Sequence, residues 1–357
     1  MAGVGNGRFH GDRGGSAFAR PPMGGWILTL GTDGWMLKER VVVSLTQTIV
    51  VQVLQVLFVW LVSPLVKGIL DRMKEFVQGK RGPSIWQVYR DLRKQFNKEN
   101  LVPHDAGPLY HLAPYVYFAA PLLVTLLIPV LTSKPLFMAF AGDMLSAGFI
   151  LGLGGYFLLV GSVSGSSPYA GVGNTRARFI SMTVEPVLIL VLFAVSFVAH
   201  STLPYVVNQT LQSLGWSPVH LLLIAAFFSV FLAETGRIPV DNPSSHREFS
   251  MIDHNRVYDY SGPYLALIEW GGSMKYVVLG VILSNVITSP FGLSPDAAPL
   301  SVAGAVIALF VKLLILDGVV VWVESSFGKL RLLRIAEFMA GGALCAALAI
   351  VVHLSNL

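Results

Sequence analysis

Apolar residues run along this chain in long unbroken blocks, with none of the two-residue alternation of a half-buried strand. Eight blocks are long enough to cross a bilayer: residues 41–63, 112–132, 144–163, 180–200, 218–236, 264–288, 300–324 and 335–355. About 20 apolar residues at a 1.5 Å rise cover the roughly 30 Å of hydrocarbon in a membrane. Backbone amides left unpaired in lipid are costly, so each block is expected to be a helix. The pattern predicts an all-α polytopic membrane protein with about eight transmembrane helices. Residues 41–357 form one helical domain, with water-facing loops near 64–111, 164–179, 237–263 and 325–334. The block over 218–236 is the shortest. Pro121 and Pro129 are expected to kink the second helix. Residues 1–40 are rich in Gly and Arg and lack apolar periodicity, and read as a disordered or mis-annotated tail. A translation start at Met36 is one expectation for it.

Composition agrees with the pattern. Of 357 residues, 54% are hydrophobic and 13% charged, against about 25% charged in a soluble domain. The single cysteine, Cys345, excludes a disulfide framework or a thiolate-ligated cluster built from this chain alone. Within GGALCAALAI it reads as a small buried hydrophobe. The net charge of +5 does not point to nucleic acid, because the basic residues flank the apolar blocks. Nine lie in the 64–111 loop, and Arg176, Arg178, Arg237, Arg247, Arg256, Lys329, Arg331 and Arg334 lie in the three later loops of the same side. The opposite loops hold only Lys134. The positive-inside rule places the basic loops in the cytoplasm and both termini outside. The basic residues of the 1–40 tail run against this, and the four-loop pattern outweighs them.

Charge inside a bilayer is expensive, about 2.5–3.5 kcal/mol at its centre on insertion scales. This chain carries Glu185, Glu234, Glu269, Lys275, Lys312, Asp317 and Glu324 within or at the ends of apolar blocks. Asp143 and Glu337 open blocks and read as interfacial residues. Asp317 and Glu324 are seven apart, so they share one helix face about 10 Å apart in height. Lys312 points away from that face. Glu269 and Lys275 diverge, so partners are needed on other helices. Burial moves carboxylates and ammonium groups toward neutral pH, which suits a proton relay. His200 and His220 flank two helices on the outer side. They read as interfacial residues in preference to haem ligands.

The densest polar stretch is AETGRIPVDNPSSHREFSMIDHNRVYDYSGPYLALIEW, residues 233–270. Pro239 and Pro243 break the helix, and the mixed charges suit a docking surface or an ion entrance. FLAETGRIPVDNPSSHREFSMI resembles the helix-five exit signature of the complex I subunit 1 family. YSGPYLALIEW resembles that family's start of helix six. GKRGPSIWQVYRDLRKQFNKE resembles its Arg-Gly-Pro loop, and SPYAGVGNTRARFISMTVEP its approach to the helix-four glutamate. The resemblance covers roughly residues 50–340. The quinone-linked members carry more acids where this chain has Ser244 and His246. IPVDNP and LALIEW look like the branch of formate hydrogenlyase and membrane-bound [NiFe] hydrogenases.

The resemblance implies a membrane anchor and proton-path subunit of a hydrogenase-type respiratory complex, in a bacterial or archaeal cytoplasmic (inner) membrane. Its implied partners are iron–sulfur and hydrogenase-like large subunits of a peripheral arm, and antiporter-like membrane subunits. Iron–sulfur clusters and the [NiFe] site would belong to those partners, with no cofactor or metal on this chain. The proton path would use Glu185, Glu234, Asp241, Glu248, Glu269, Lys275, Lys312, Asp317 and Glu324. Docking would use Arg81, Gly82, Pro83, Arg90, Arg93, Arg176, Arg178, Arg237 and Asp259. A quinone-site subunit and a stand-alone ion-coupled transporter are the competing readings.

Overall fold

Helices occupy nearly all of the described chain, and they begin and end where prolines and charges allow. The computed structural model describes residues 33–132, 142–165, 167–214, 216–241, 252, 255–287, 292–294 and 298–355. The chain divides into two units, Met1–Thr46 and Gln47–Leu357, and the charged interior lies wholly in the second. In chain order the helices are α1 (Asp33–Val77), α2 (Gln87–Phe96), α3 (Pro108–Leu127), α4 (Met144–Val163), α5 (Pro168–Val198), α6 (Pro204–Leu214), α7 (Pro218–Glu234), α8 (Gly262–Ile287), α9 (Pro299–Ser326) and α10 (Leu332–Ser355). Among the described residues, seven are long and apolar enough to cross a membrane, and α7, at 17 residues, is a shorter apolar helix. Five helices open on proline at their first positions, where the missing N–H costs nothing; α6 is the fifth.

Several boundaries differ from expectation. α1 does not stop at residue 63 but continues through Pro64 to Val77. α5 starts at Pro168, so most of the expected 164–179 loop is helical. The expected 64–111 loop contains the amphipathic α2, and α6 is an additional short helix. Pro129 lies beyond the end of α3, and Pro114 and Pro121 are the prolines inside it.

The continuation of α1 past Pro64 has a local cause. Proline has no N–H to give the carbonyl four residues back, which here is Trp60. The Trp270 indole Nε1–H donates to that carbonyl at 2.9 Å, and the Trp60 and Trp270 rings stack 4.9 Å apart. The next carbonyl, Leu61, accepts from the Tyr89 hydroxyl. Side chains of α8 and α2 thus replace the ladder bonds that Pro64 disturbs, as membrane helices require. The chain after α1 folds back alongside it. Gly82 lies against Arg72 and Glu75, and Gly68 against the Ile85 carbonyl.

The end of α3 shows the same economy. Its last carbonyls lack intrahelical partners. Gln52 Nε2 donates to Leu126 O at 3.0 Å, Gln55 Nε2 donates to Thr125 O at 2.5 Å, and Gln55 Oε1 accepts from Val130 N at 3.3 Å. Gln55 is fully buried. Gln55→Leu should leave these buried backbone groups without their partners and lower stability by about 1–3 kcal/mol, read as a fall in the melting temperature of the detergent-purified protein.

The four basic loops meet at one end of the bundle. Leu101 N donates to Ser261 Oγ, Gly165 packs against the Asp259 carboxyl, and Leu330 N donates to Pro239 O. The opposite end holds Met144 N to Thr202 O, and the Thr132–Ser294 bridge, the one β-bridge among the described residues.

Candidate functional site

α7 ends inside the bundle at Glu234, and the chain continues as a turn whose residues 236–241 are all buried. Irregular backbone at such a depth is tolerated where protein or a cavity covers it. The turn is a Schellman motif: Arg237 N reaches Leu232 O, Gly236 N reaches Ala233 O, and Gly236 sits at φ 60°. Glycine takes this left-handed conformation without penalty. Its consequence is to aim Arg237 back among the helices.

Two clusters of charge flank that turn. On one side, Lys275 of α8 donates to Glu234 at 2.6 Å. On the other, Glu324 of α9 faces Lys74 of α1 at 3.1 Å and Arg237 at 3.6 Å. The second distance exceeds a good hydrogen bond, so charge more than alignment holds Glu324 there. Arg237 also lies over the Tyr276 ring, 5.2 Å from its centroid. The Tyr276 hydroxyl donates to Asp317 at 2.7 Å. Asp317 and Glu324 are thus both buried and joined by residues that touch Arg237, as their seven-residue spacing requires. Beyond the turn, Asp241 pairs with Lys329 at 2.7 Å and accepts from Ile252 N at 3.1 Å.

A cavity of about 510 Å³ runs beside the Glu234–Lys275 pair, lined among others by Lys67, Asp71, Lys74, Glu75, Arg237 and Glu269. A second, smaller space shares Glu234, Asp241, Arg256 and Lys275 with it and reaches Glu185. Glu185 also borders a groove of about 440 Å³ on the outer face of α4 and α5, beside Gly148 and Gly152. One half-buried carboxylate therefore faces both the interior and the lipid-facing side of the bundle.

Glu185, Glu234, Asp241, Glu269, Lys275, Asp317 and Glu324 all lie on this interior axis or its cavities. Lys312 lies outside it and makes no ion pair with a described residue. Glu248 lies outside the described residues. Among the residues assigned to docking, Arg81, Arg90, Arg93 and Arg178 are exposed and Arg176 is half-buried. Arg90 contacts Ser84, and Pro83 lines the large cavity. Arg237 is 7% exposed and belongs to the interior cluster. Asp259 is half-buried beneath Gly165, beside a stacked Tyr110–Tyr260 pair whose Tyr110 hydroxyl donates to the Asp259 carbonyl at 2.6 Å.

Sequence reasoning misses Lys67, Asp71, Lys74 and Glu75, which it places in a loop. Asp71 lies four after Lys67, and Lys74 and Glu75 lie three and four after Asp71, which puts them on one side of a helix, and that periodicity is the available signal. Tyr276 offers no signal, being one more residue in an apolar block.

Loss of water pushes the Asp259 carboxyl up from its ordinary range, against the lowering effect of hydrogen bonds from Ser167. The folded state then binds its proton more tightly than the unfolded chain. The stability that this proton confers is present below the unfolded value and is lost as pH rises through the raised folded value. Asp259→Asn should therefore melt higher than the parent protein at about pH 8 and alike at about pH 4, in paired melts.

Known proteins match this architecture. The chain is 30% identical over 307 residues to hydrogenase-4 component C of Escherichia coli (strain K12), covering 85% of this chain and 95% of that protein. It is 28% identical to formate hydrogenlyase subunit 4 of the same strain, over 78% of this chain and 90% of that one. NADH-ubiquinone oxidoreductase chain 1 of Paracentrotus lividus is 27% identical, over 88% and 96%. In solved structures, a chain of the membrane-bound sulfane sulfur reductase, described as an archaeal respiratory membrane complex, shares the fold. Its TM-score is 0.73 at 20% identity, over 86% of this chain and 99% of that chain. The NADH dehydrogenase family model matches residues 28–355, and this multi-pass membrane protein belongs to that family, the one that also holds complex I subunit 1.

Proposed function

We propose that this chain is the membrane-anchoring, proton-path subunit of a hydrogenase- or formate hydrogenlyase-type respiratory complex in a bacterial or archaeal cytoplasmic membrane. The observation that carries the reading is the Glu234–Lys275 pair. It borders one cavity that runs to Glu269 and the α1 charges, and a second that runs to Glu185. A proton can be handed along such a row only if charged groups are kept close and out of bulk water; the 2.6 Å contact of the largely buried Glu234 and Lys275, with cavities on either side of it, supports that reading. The large cavity lies near the basic end of the bundle. There Arg81, Arg90, Arg93 and Arg178 are exposed, available to bind a peripheral arm carrying iron–sulfur clusters and a hydrogenase-like large subunit. The identity to hydrogenase-4 component C supports this branch. The positive-inside rule gives the basic end to the cytoplasm and both termini to the other side.

Purification of the tagged chain in mild detergent tests the proposal. Co-purification of large and iron-containing subunits, and of antiporter-like membrane subunits, is the expected outcome. A homogeneous lone chain with ion-dependent transport activity would overturn it in favour of a stand-alone transporter. One observation favours a second reading, a quinone-site subunit: a cavity of about 510 Å³ is large enough for a small-molecule headgroup. Its lining is dense in charge, whereas such sites are mostly apolar with few polar groups. Quinone-dependent turnover of the purified complex would establish the second reading.

A further inference from the structure

The end of the bundle away from the basic loops carries a second arrangement that the proton axis does not use. α5 finishes in a Schellman motif built like that of α7. Ser201 N reaches Ser196 O, and His200 N reaches Phe197 O. In α7 the left-handed position is held by Gly236; in α5 it is held by His200, at φ 52°. A side chain in this conformation costs about 1–2 kcal/mol, which glycine avoids. His200 is the one non-glycine residue with positive φ among the described residues. Its ring stands 5.4 Å from that of His353, in the last turn of α10.

His353 carries its own cost. It is 8% exposed, and its Nε2 is buried with no hydrogen-bond partner among the described residues. Buried imidazole nitrogens are ordinarily satisfied. Two unfavourable features, a strained backbone and an orphan nitrogen, therefore converge on one pair of rings. Such features persist where a function sustains them.

We propose that His200 and His353 form a binding site for a borderline divalent transition-metal ion, with Zn²⁺ as the type case. The ring spacing fits. With Zn–N bonds of about 2.0–2.1 Å, two imidazoles on adjacent corners of a tetrahedron hold their centroids about 5 Å apart. Ligands on opposite sides of a haem iron would stand more than about 6 Å apart. The donor set is nitrogen alone, which suits Zn²⁺ or Cu²⁺ and not Mg²⁺ or Ca²⁺. Among the described residues no third His, Cys, Asp or Glu completes the site; water would fill the remaining positions from the side of the exposed His200. The ion would tie the end of α5 to the end of α10.

The test uses the full chain in its detergent-purified native assembly, with Zn²⁺ and Cu²⁺ as the only additions. Zn²⁺ should bind at micromolar concentration and raise the melting temperature. Cu²⁺ should give an electron paramagnetic resonance signal split by two imidazole nitrogens. His200→Gly should weaken Zn²⁺ at least about tenfold and remove the two-nitrogen splitting. It should melt no lower than the parent without metal, because glycine suits the left-handed position. His353→Gln should lose the same signals. Unchanged Zn²⁺ affinity or Cu²⁺ splitting in His200→Gly would overturn the site. So would an absence of Zn²⁺ binding to the parent protein at millimolar concentration.

Discussion

Membranes carrying Lys275→Met are expected to lose proton coupling by on the order of a hundredfold, and the chain itself to lose about 3–5 kcal/mol of stability. Both effects come from one contact. Lys275 and Glu234 are about nine-tenths buried at their side chains and meet at 2.6 Å. Removing one member leaves the other without its counter-charge where water cannot compensate, which is more damaging than the pair is stabilising. The double variant Glu234→Gln/Lys275→Met separates the two effects. It removes both charges and keeps both volumes, so thermal stability and assembly should return toward those of the parent. Proton coupling should not return, because neither side chain of the double variant can carry a proton. Proton uptake by inverted vesicles and melting of the purified assembly are the two measurements. Recovery of both together would remove the pair from the proposed path and leave it a structural contact.

The contrast between what the amino-acid pattern reveals and what it hides comes from the physics of each feature. Apolar blocks locate the spanning helices because hydrophobic length is set by the bilayer, and α3, α4, α8, α9 and α10 begin and end within a few residues of expectation. The end of α1 is misplaced when charge is read as the water boundary. Lys74 is instead buried against Glu324 of α9, and Lys67, Asp71 and Glu75 line the cavity beside α8 and the turn after α7; their helical periodicity is legible, but the helices they face are not. The carboxylates of the axis are legible one by one, since each is costly in lipid. Their pairing is not, because it depends on which helix faces which. Lys312 illustrates the limit. It has the same insertion cost as Asp317, five positions away in the same helix, yet it lies outside the axis. Rotation about the α9 axis separates them, as their spacing indicates. Arg237 falls among the docking residues because a proline-broken loop is read as exposed. The Schellman turn at Gly236 instead turns it inward, toward Tyr276 of α8 and Glu324 of α9.

Glu324→Gln should be the most damaging single substitution on the α9 side of the turn, again by about 3–5 kcal/mol. Glu324 is the shared counter-ion of Lys74 and Arg237, at 3.1 Å and 3.6 Å, with about one-tenth or less of any of the three side chains exposed. The amide removes one negative charge and strands two positive ones, on α1 and on the buried turn. Lys74→Met should cost less, because Arg237 still neutralises Glu324. Asp317→Asn should cost least, because the Tyr276 hydroxyl that reaches it at 2.7 Å can still donate, though more weakly, to an amide oxygen. The order Glu324→Gln, Lys74→Met, Asp317→Asn, from largest to smallest loss of melting temperature, rests on the charges each replacement strands and on the hydrogen bond kept at 317. A purely steric core would rank them differently, since each replacement nearly preserves volume and all three would then be mild. If the three variants melt together, the carboxylate at 324 does not hold the α1 extension against the turn, and the interior axis would need another anchor.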